Sequence, residues 1–432
     1  MQVALTQLER PLGRKLSISL PPETYSVAIS KRLADLSKSV SLNGFRPGKV
    51  PVSVIDQRFG AQVRSEVAQE LVREALGNSI RQHELRLAVD PAVRFVNPPS
   101  LASFEFEAEF EVMPEIGPID VGALQVTRVV SQIDDADIDR MIENLRLQRR
   151  TWKDVERAAG KGDLVAFEMA VTVDGERFPA EGHERAATVI GSGVVVPEVE
   201  SALEGRSAGD QLEVAFSYPE NHRDPKVAGK PAQAEIRIVH VQEAVLPEVD
   251  ADFVRSFGIH DGEIDTFRRE VRNNLEREMR GALSQRLRVE VINKLIAAYP
   301  TFELPLSMVE SEARRLRAMA IQQAENQGAK LEQEPELDAF MREARARVRG
   351  GLLLGEVARQ NGLKLDQRRV REAIEVIAST YEDPSSVIKM YRDDRRLLAA
   401  VQERVMEEQV AEWIAERAQT TDEPRAFVDL LK

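Results

Sequence analysis

In Gly44-Phe45-Arg46-Pro47-Gly48-Lys49-Val50-Pro51, two glycines and two prolines fall within eight residues, which stops any helix or strand and forces a tight loop. The loop carries an aromatic ring, a guanidinium and an ammonium. Helical patterns flank it: Ile29, Leu33, Leu36 and Val40 share one face before it, and Ile55, Phe59, Val63, Val67 and Leu71 step by four after it. Gly60 predicts a break there between a short and a longer helix. Such a tip offers one apolar contact and two cations on a rigid base. By composition alone, a plain helix–loop–helix turn with solvated Lys and Arg describes it as well.

The chain has 432 residues, a length for which roughly two to four domains are expected. It has no cysteine, which excludes disulfides and thiolate metal sites. The opening Met1-Gln2-Val3-Ala4-Leu5 lacks a basic start and apolar core, so no signal peptide is expected. No apolar run approaches membrane-spanning length, Leu352-Leu353-Leu354 being the densest. The expectation is a soluble, cytoplasmic, multidomain protein without membrane contact. A net charge of −13 argues against general nucleic-acid binding. Residues 1–60, however, hold nine Lys/Arg against four Asp/Glu, so a basic head can meet RNA locally while the acidic remainder is repelled.

Phe104 to Val112 alternates apolar with acidic residues, predicting a strand with one packed face and one acidic, wet face. Met113-Pro114 through Pro118 breaks that pattern. Asp134 and Asp137 open an amphipathic helix (Ile138, Ile142, Leu145) and read as a cap, because their spacing fits no calcium loop. Val165, Phe167, Met169, Val171 and Val173 alternate up to Asp174-Gly175, a hairpin signal. Leu212, Val214, Phe216, Tyr218 and then Ile236, Ile238 continue as strands, with a short capped helix from Pro197 to Leu203 before Gly205. From Leu246 onward the pattern is helical. Ile264, Phe267, Val271, Leu275, Met279, Leu283, Leu287, Val291 and Leu295 hold one stripe, roughly 45 Å at 1.5 Å per residue. Further helices are expected around 309–327, 336–360, 366–381 and 394–418, with Asp383-Pro384 starting a short one between the last two. Gly350-Gly351-Leu352-Leu353-Leu354-Gly355 lacks the ending of a phosphate loop and reads as close helix packing. The histidines His83, His183, His222, His240 and His260 form no ligand spacing. No metal, cofactor, nucleotide site or catalytic triad is expected.

The pattern Gly-Phe-Arg-x-Gly-x-x-Pro at 44–51 resembles the ribosome-docking signature of trigger factor, a family of bacterial chaperones at the ribosomal tunnel exit. The likeness continues through Val54-Ile55-Asp56-Gln57-Arg58-Phe59-Gly60, Gly351 to Val357, Tyr381-Glu382-Asp383-Pro384 and Glu407-Glu408-Gln409. It implies a multidomain α+β fold: a ribosome-binding head (1–113), a linker packing with the C-terminal body (114–150), an FKBP-type prolyl isomerase domain (151–245) and a helical body with arms (246–432). It also implies that Gly44, Phe45, Arg46, Gly48, Lys49 and Pro51 dock on large-subunit protein and RNA, and that nascent and unfolded polypeptides are the clients. Pro47 stands where the family often has lysine. A homodimer of the free protein is left open.

Laid on the isomerase pattern, Phe178, Val195 and Val196 match apolar walls. Met169, Val199, His222 and Ala234 stand where aromatics are usual, as does Ala186, while Pro179 replaces an acid and Glu198 a glycine. Aromatic groups supply most of the contact in such a pocket, so a kept fold with weakened isomerase activity is expected. A free-standing prolyl isomerase and a helical scaffold without ribosome binding are the alternatives. The first needs the aromatic pocket, and the second leaves the basic loop without purpose.

Overall fold

A computed structural model describes residues 1–42, 45, 48–100, 103–220, 227–326 and 334–430. In chain order the head holds β1 (Gln2–Gln7), β2 (Gly13–Leu20), α1 (Pro22–Ser39), α2 (Val52–Gln82), β3 (Ala92–Phe95) and β4 (Phe104–Glu111). After it come β5 (Gln125–Val130) and α3 (Asp135–Gln148). The middle segment is β6 (Thr151–Asp154), β7 (Leu164–Val173), β8 (Glu176–Phe178), β9 (Glu184–Val189), α4 (Pro197–Leu203), β10 (Gln211–Ser217) and β11 (Pro231–Val245). The remainder is α5 (Ala251–Arg255), α6 (Ile264–Ala298), α7 (Leu306–Asn326), α8 (Asp338–Gln360), α9 (Gln367–Ala378), α10 (Pro384–Asp393), α11 (Arg395–Ala415), β12 (Gln419–Pro424) and α12 (Phe427–Leu430). The multidomain α+β class is therefore observed.

The chain divides into two compact units: Met1–Arg128 with Ser284–Asp422, and Val129–Leu283 with Glu423–Lys432. In the first unit the head is an antiparallel sheet of order β1-β2-β4-β3 covered by α1 and α2. The even positions of β4, Phe104, Phe106, Ala108 and Phe110, are buried, and Tyr25 and Phe95 meet Phe104 at ring distances of 5.0 and 5.8 Å. The opposite face departs from expectation. Glu107 bonds Lys15 and Arg94, which hold its carboxyl below the usual range, and Glu111 is buried. A strand pattern shows which side chains share a face, not which charges a neighbouring strand or helix will meet.

Gly60 does not break α2, which runs unbroken through 31 residues. An Asp56–Arg64 ion pair of 2.8 Å passes over this glycine, and a Cβ would press on both side chains. The missing side chain thus serves a close approach rather than a helix end.

The rest of the first unit closes three further cores, one of them joining Val370 and Ile374 of α9 to Val401 and Val405 of α11. Val309, Ala313 and Leu316 of α7 pack on Ala344 and Val348 of α8. Ile119, Leu124 and Val126 pack with Val291 and Leu295 of α6, Leu353, Leu354 and Val357 of α8, and Ile414 of α11. The region after Leu246 is not wholly helical: β12 pairs with β5 as a two-stranded ribbon. Its Gln-Thr-Thr-Asp-Glu sequence lacks the alternation by which strands are recognised.

In the second unit β10, β11, β7 and β8 pair antiparallel in that order, with β6 on β11 and β9 on β7. Asp174 and Gly175, at φ of 52° and 84°, make the left-handed turn between β7 and β8. Asp134 and Asp137 form the full reciprocal cap of α3. A separate core joins Ile138 and Ile142 of α3 to Phe253, Phe267, Val271, Leu275, Phe427 and Leu430.

Gly350 is read correctly as a packing position, since a Cβ there would stand 2.6 Å from Ile292 Cγ2. Gly350→Val is expected to lower stability by about 1–3 kcal/mol through overpacking. Gly351→Ala, where a Cβ meets nothing within 4 Å, is expected to raise it by roughly 0.5–1 kcal/mol through helix propensity. Urea melts of the two variants check this, and equal shifts of one sign would contradict it.

Candidate functional site

The loop between α1 and α2 is rooted from inside. Val50 is 4% exposed in the head core, with Leu42 and Val40 packed against the same cluster. Gly48 has a φ of 75°, and a Cβ there would lie 3.2 Å from the Lys38 carbonyl. Both the left-handed backbone and the tight approach demand glycine. Pro51 precedes the first turn of α2, whose amides at Val54 and Ile55 donate to its carbonyl. Phe45, 39% exposed, donates its amide to Leu42 O at 3.1 Å but lies outside the head core, and Lys49 on the same loop is exposed. A buried aliphatic anchor thus carries an aromatic ring and an ammonium into solvent. Gly44, Arg46 and Pro47 lie outside the described residues.

The isomerase-type residues gather on the face of β7 that packs under α4. Val165, Phe167, Met169, Val171 and Val173 share it, and across the sheet Met169 is opposite Ile236 while Val171 is opposite Ala234 and Phe178. Ala234 and Val199 are buried, Val199 reaching the core from α4, and Met169, Ala186, Val195 and Val196 are half-buried against it. Phe178 is 52% exposed at the sheet edge, and Glu198 points to solvent. His222 lies outside the described residues. At the positions where the isomerase pattern has aromatics, Met169, Ala186, Val199 and Ala234 are short or flexible side chains, while Phe167, Phe216 and Tyr218 belong to the same core.

Asp163 fixes the approach to β7. It accepts from Arg157 Nη1 at 2.5 Å and Nη2 at 3.0 Å and from the Gly160 amide at 2.8 Å. The Arg157 bonds hold its carboxyl below the usual range against the opposing effect of burial, with the Gly160 amide adding to them.

Apolar side chains that periodicity assigns to no site also face solvent on the C-terminal helices: Met319 on α7, Val376 on α9, Met390 on α10, and Tyr381 between the last two. Sequence reading gave Met319, Val376 and Met390 no role and took Tyr381 only as part of the family likeness, because exposure is decided by packing and not by spacing. Among the described residues no helix is long and apolar enough to cross a membrane, and no cluster of three or more His, Cys, Asp or Glu could hold a metal.

A rooted loop, a small-walled β-domain and helices with dispersed exposed apolar groups suit a protein that handles other polypeptides. The comparisons with known proteins agree. The family model described as bacterial trigger factor protein matches residues 1–145, and the model of its C-terminus matches 263–416. The trigger factor of Xanthomonas axonopodis pv. citri (strain 306) is 48% identical over 424 residues, covering 98% of this chain and 97% of that protein. That of Stenotrophomonas maltophilia (strain K279a) is 45% identical over 423 residues, with the same coverage. A solved structure, "Promiscuous Substrate Recognition in Folding and Assembly Activities of the Trigger Factor Chaperone", overlaps 96% of this chain and 99% of its own at 16% identity and a TM-score of 0.41. The sequence matches define a bacterial chaperone. The chain belongs to the trigger factor family, a family of ribosome-associated chaperones that in general carries a prolyl isomerase domain.

Replacing Asp163 with alanine is expected to cost about 1–3 kcal/mol, because the Gly160 amide and Arg157 lose a buried acceptor. The sign with pH follows from the lowered folded value. The wild-type advantage is full above the unfolded aspartate value, near 3.9, and is lost as pH falls through the lower folded one. Urea melts of the two proteins should therefore differ at neutral pH and converge in acid. A gap that widens on acidification would contradict the assignment.

Proposed function

We propose that the chain is an ATP-independent chaperone that docks at the ribosomal tunnel exit through residues 44–51 and shields nascent polypeptides, keeping them open for folding or export. The observation that carries the reading is that Phe45 and Lys49 are both exposed on a loop whose Val50 root is buried. An apolar ring meets protein and the cations meet phosphate, so both components of the large subunit are addressed. In this reading Gly44 and Gly48 shape the loop, Pro51 ends it, and Phe45, Arg46 and Lys49 make the contacts. Residues 1–113 are the docking head, 114–150 the linker, 151–245 the isomerase-type domain and 246–432 the chaperone body and arms. The protein works in the cytoplasm. Met319, Val376, Tyr381 and Met390 offer clients dispersed apolar contacts, which release a client as it buries its own surface. A homodimer of the free protein would cover the same side chains.

The experiment is co-sedimentation with ribosomes. Alanine at Phe45, Arg46 and Lys49 together is expected to abolish it while leaving the fold intact, since loop side chains outside the core contribute little to stability. Wild-type binding should weaken as salt rises, because cation–phosphate contacts release counterions. Unchanged sedimentation of the triple variant would sink the reading.

The same reading gives the 151–245 domain a weak peptidyl-prolyl isomerase activity, with Phe178, Met169, Val195, Val196, Val199 and His222 as its site. The supporting observation is the short or flexible side chains at Met169, Ala186 and Ala234, with Phe178 at the sheet edge. Each aromatic contact is worth about 0.5–1.5 kcal/mol beyond its area, and each 1.36 kcal/mol is roughly tenfold in rate. Two or more lost walls therefore predict turnover of a short X–Pro peptide about 10- to 100-fold or more below that of an isomerase with the aromatic set. Phe178→Ala should remove what remains. Full activity in a protease-coupled assay would show that the aromatic walls are dispensable.

A further inference from the structure

Six polar or charged residues are buried among those described: Ser79, Glu111, Asp137, Asp163, Thr188 and Glu356. Four have local uses. Ser79 bonds the Ala75 carbonyl within α2, Asp137 completes a cap, Asp163 holds its own turn, and Thr188 lies 3.4 Å from Ser192. Glu111 and Glu356, 6% and 4% exposed, are spent on contacts between distant parts of the first unit. Glu111 ends β4 in the head, yet its Oε2 accepts from the amide of Ser307 in the first turn of α7 at 2.7 Å, and from the Ser307 hydroxyl. Glu356 lies in α8 and accepts from Arg359 at 2.9 Å and Gln360 at 2.9 Å, while Arg86 of the head stands 3.5 Å away.

The two contacts leave one corner of the head. Met113 donates its amide to Arg86 O at 2.7 Å, Ala88 donates to Glu111 O at 2.8 Å, and Leu87 pairs with Val112. The chain leaving that corner is tied to the end of α8 and to Tyr299, just after α6. Gln360 accepts from the Ile119 amide at 3.0 Å and donates to Gly117 O at 2.9 Å, and the Asp120 amide donates to Tyr299 Oη at 2.8 Å. The apolar core of the head and that of α7–α8 are separate clusters. Apolar packing of those two clusters therefore does not fix the angle between them, whereas the Ser307 bonds to Glu111 and the Arg86–Glu356 ion pair cross from one to the other.

We propose that Glu111 and Glu356 are positioning residues that lock the loop-bearing head onto the start of α7 and the end of α8, so that docking the loop sets the direction of the α7–α8 pair. Helix α7 has 21 residues, a length of roughly 30 Å over which a tilt of about 10° at its root displaces its far end by about 5 Å. Small slack at Ser307 thus becomes a misplaced client surface at Met319. The proposal rests on the docking role of residues 44–51.

The absence of native cysteine allows two labels on the full chain. Gln69→Cys on α2 and Gln323→Cys on α7, both exposed, carry spin labels for a distance distribution. The unaltered clamp should give one narrow distribution. Glu111→Ala with Arg86→Ala should at least double its width at unchanged helical content, and Glu111→Gln, which keeps an acceptor for Ser307, should restore most of the narrowness. On ribosomes the double variant should sediment as wild type but lose most cross-linking of nascent chains to position 323. Should the double variant misfold, Ser307→Ala with Arg86→Gln, which alters only donors, is measured in its place. An equally narrow distribution in every folded variant, or undiminished cross-linking, overturns the proposal. The Phe45, Arg46, Lys49 alanine variant separates the two readings: it should lose sedimentation with the distribution still narrow. If it sediments normally, docking through the loop fails while the widths still decide the clamp.

Discussion

The packing of Ile119, Leu124 and Val126 against Leu295, Leu353, Val357 and Ile414 governs how the whole chain is laid out. These residues come from four separated stretches, and α6, α8 and α11, which also reach other cores, meet the segment after the head here. The segment after the head must therefore return to helices that follow more than a hundred residues later. Everything between Val129 and Leu283 becomes an excursion with cores of its own. Loop closure over such a length costs entropy only logarithmically, so a well-filled core can hold it. The β5–β12 ribbon and the Arg128–Asp422 pair, 2.7 Å and 3.0 Å through two bonds, fasten the return at the surface.

Separate cores have a consequence for charge. The chain carries −13 overall, yet its buried carboxylates are each met by donors. A carboxylate between two cores can be tolerated only with its hydrogen bonds complete. That requirement converts a contact surface into a defined angle. Apolar cores supply cohesion within parts, and a few buried acids supply orientation between them.

Periodicity made the helices and most strands legible, because the packed faces of β4, β7 and α6 bury one residue type at one period. Short-range chemistry was legible too: the Asp134–Asp137 cap, the Asp174-Gly175 turn and the Pro197 helix start each depend on neighbours within a few residues. The failures share one cause. Gly60 looked like a helix break because the ion pair crossing it is set by how α2 is coiled, not by composition. Glu111 looked wet because its partner lies 196 residues away. Strand β12 is held by β5 and shows no pattern of its own. In the candidate site, the loop's punctuation and cations stood out in the sequence, while the burial of Val50 that gives the loop its root did not.

The small walls of the 151–245 domain need not weaken its fold. Ala234 and Val171 face each other across β7 and β11, and Val199 of α4 fills the space above the sheet. A pocket lined by aromatics must keep a hollow, and a hollow costs the dispersion contacts that its lining would otherwise make. Short side chains let helix and sheet close on each other instead. In the proposed reading, a shallower cradle and a sound domain are two results of one change in side-chain size. Phe178, 52% exposed at the sheet edge, would on that reading suit brief contact with many segments better than tight capture of one. On that argument the domain shares the chemistry of the exposed groups on α7, α9 and α10: weak, dispersed and reversible apolar contact, from which a folding client can withdraw without any input of energy.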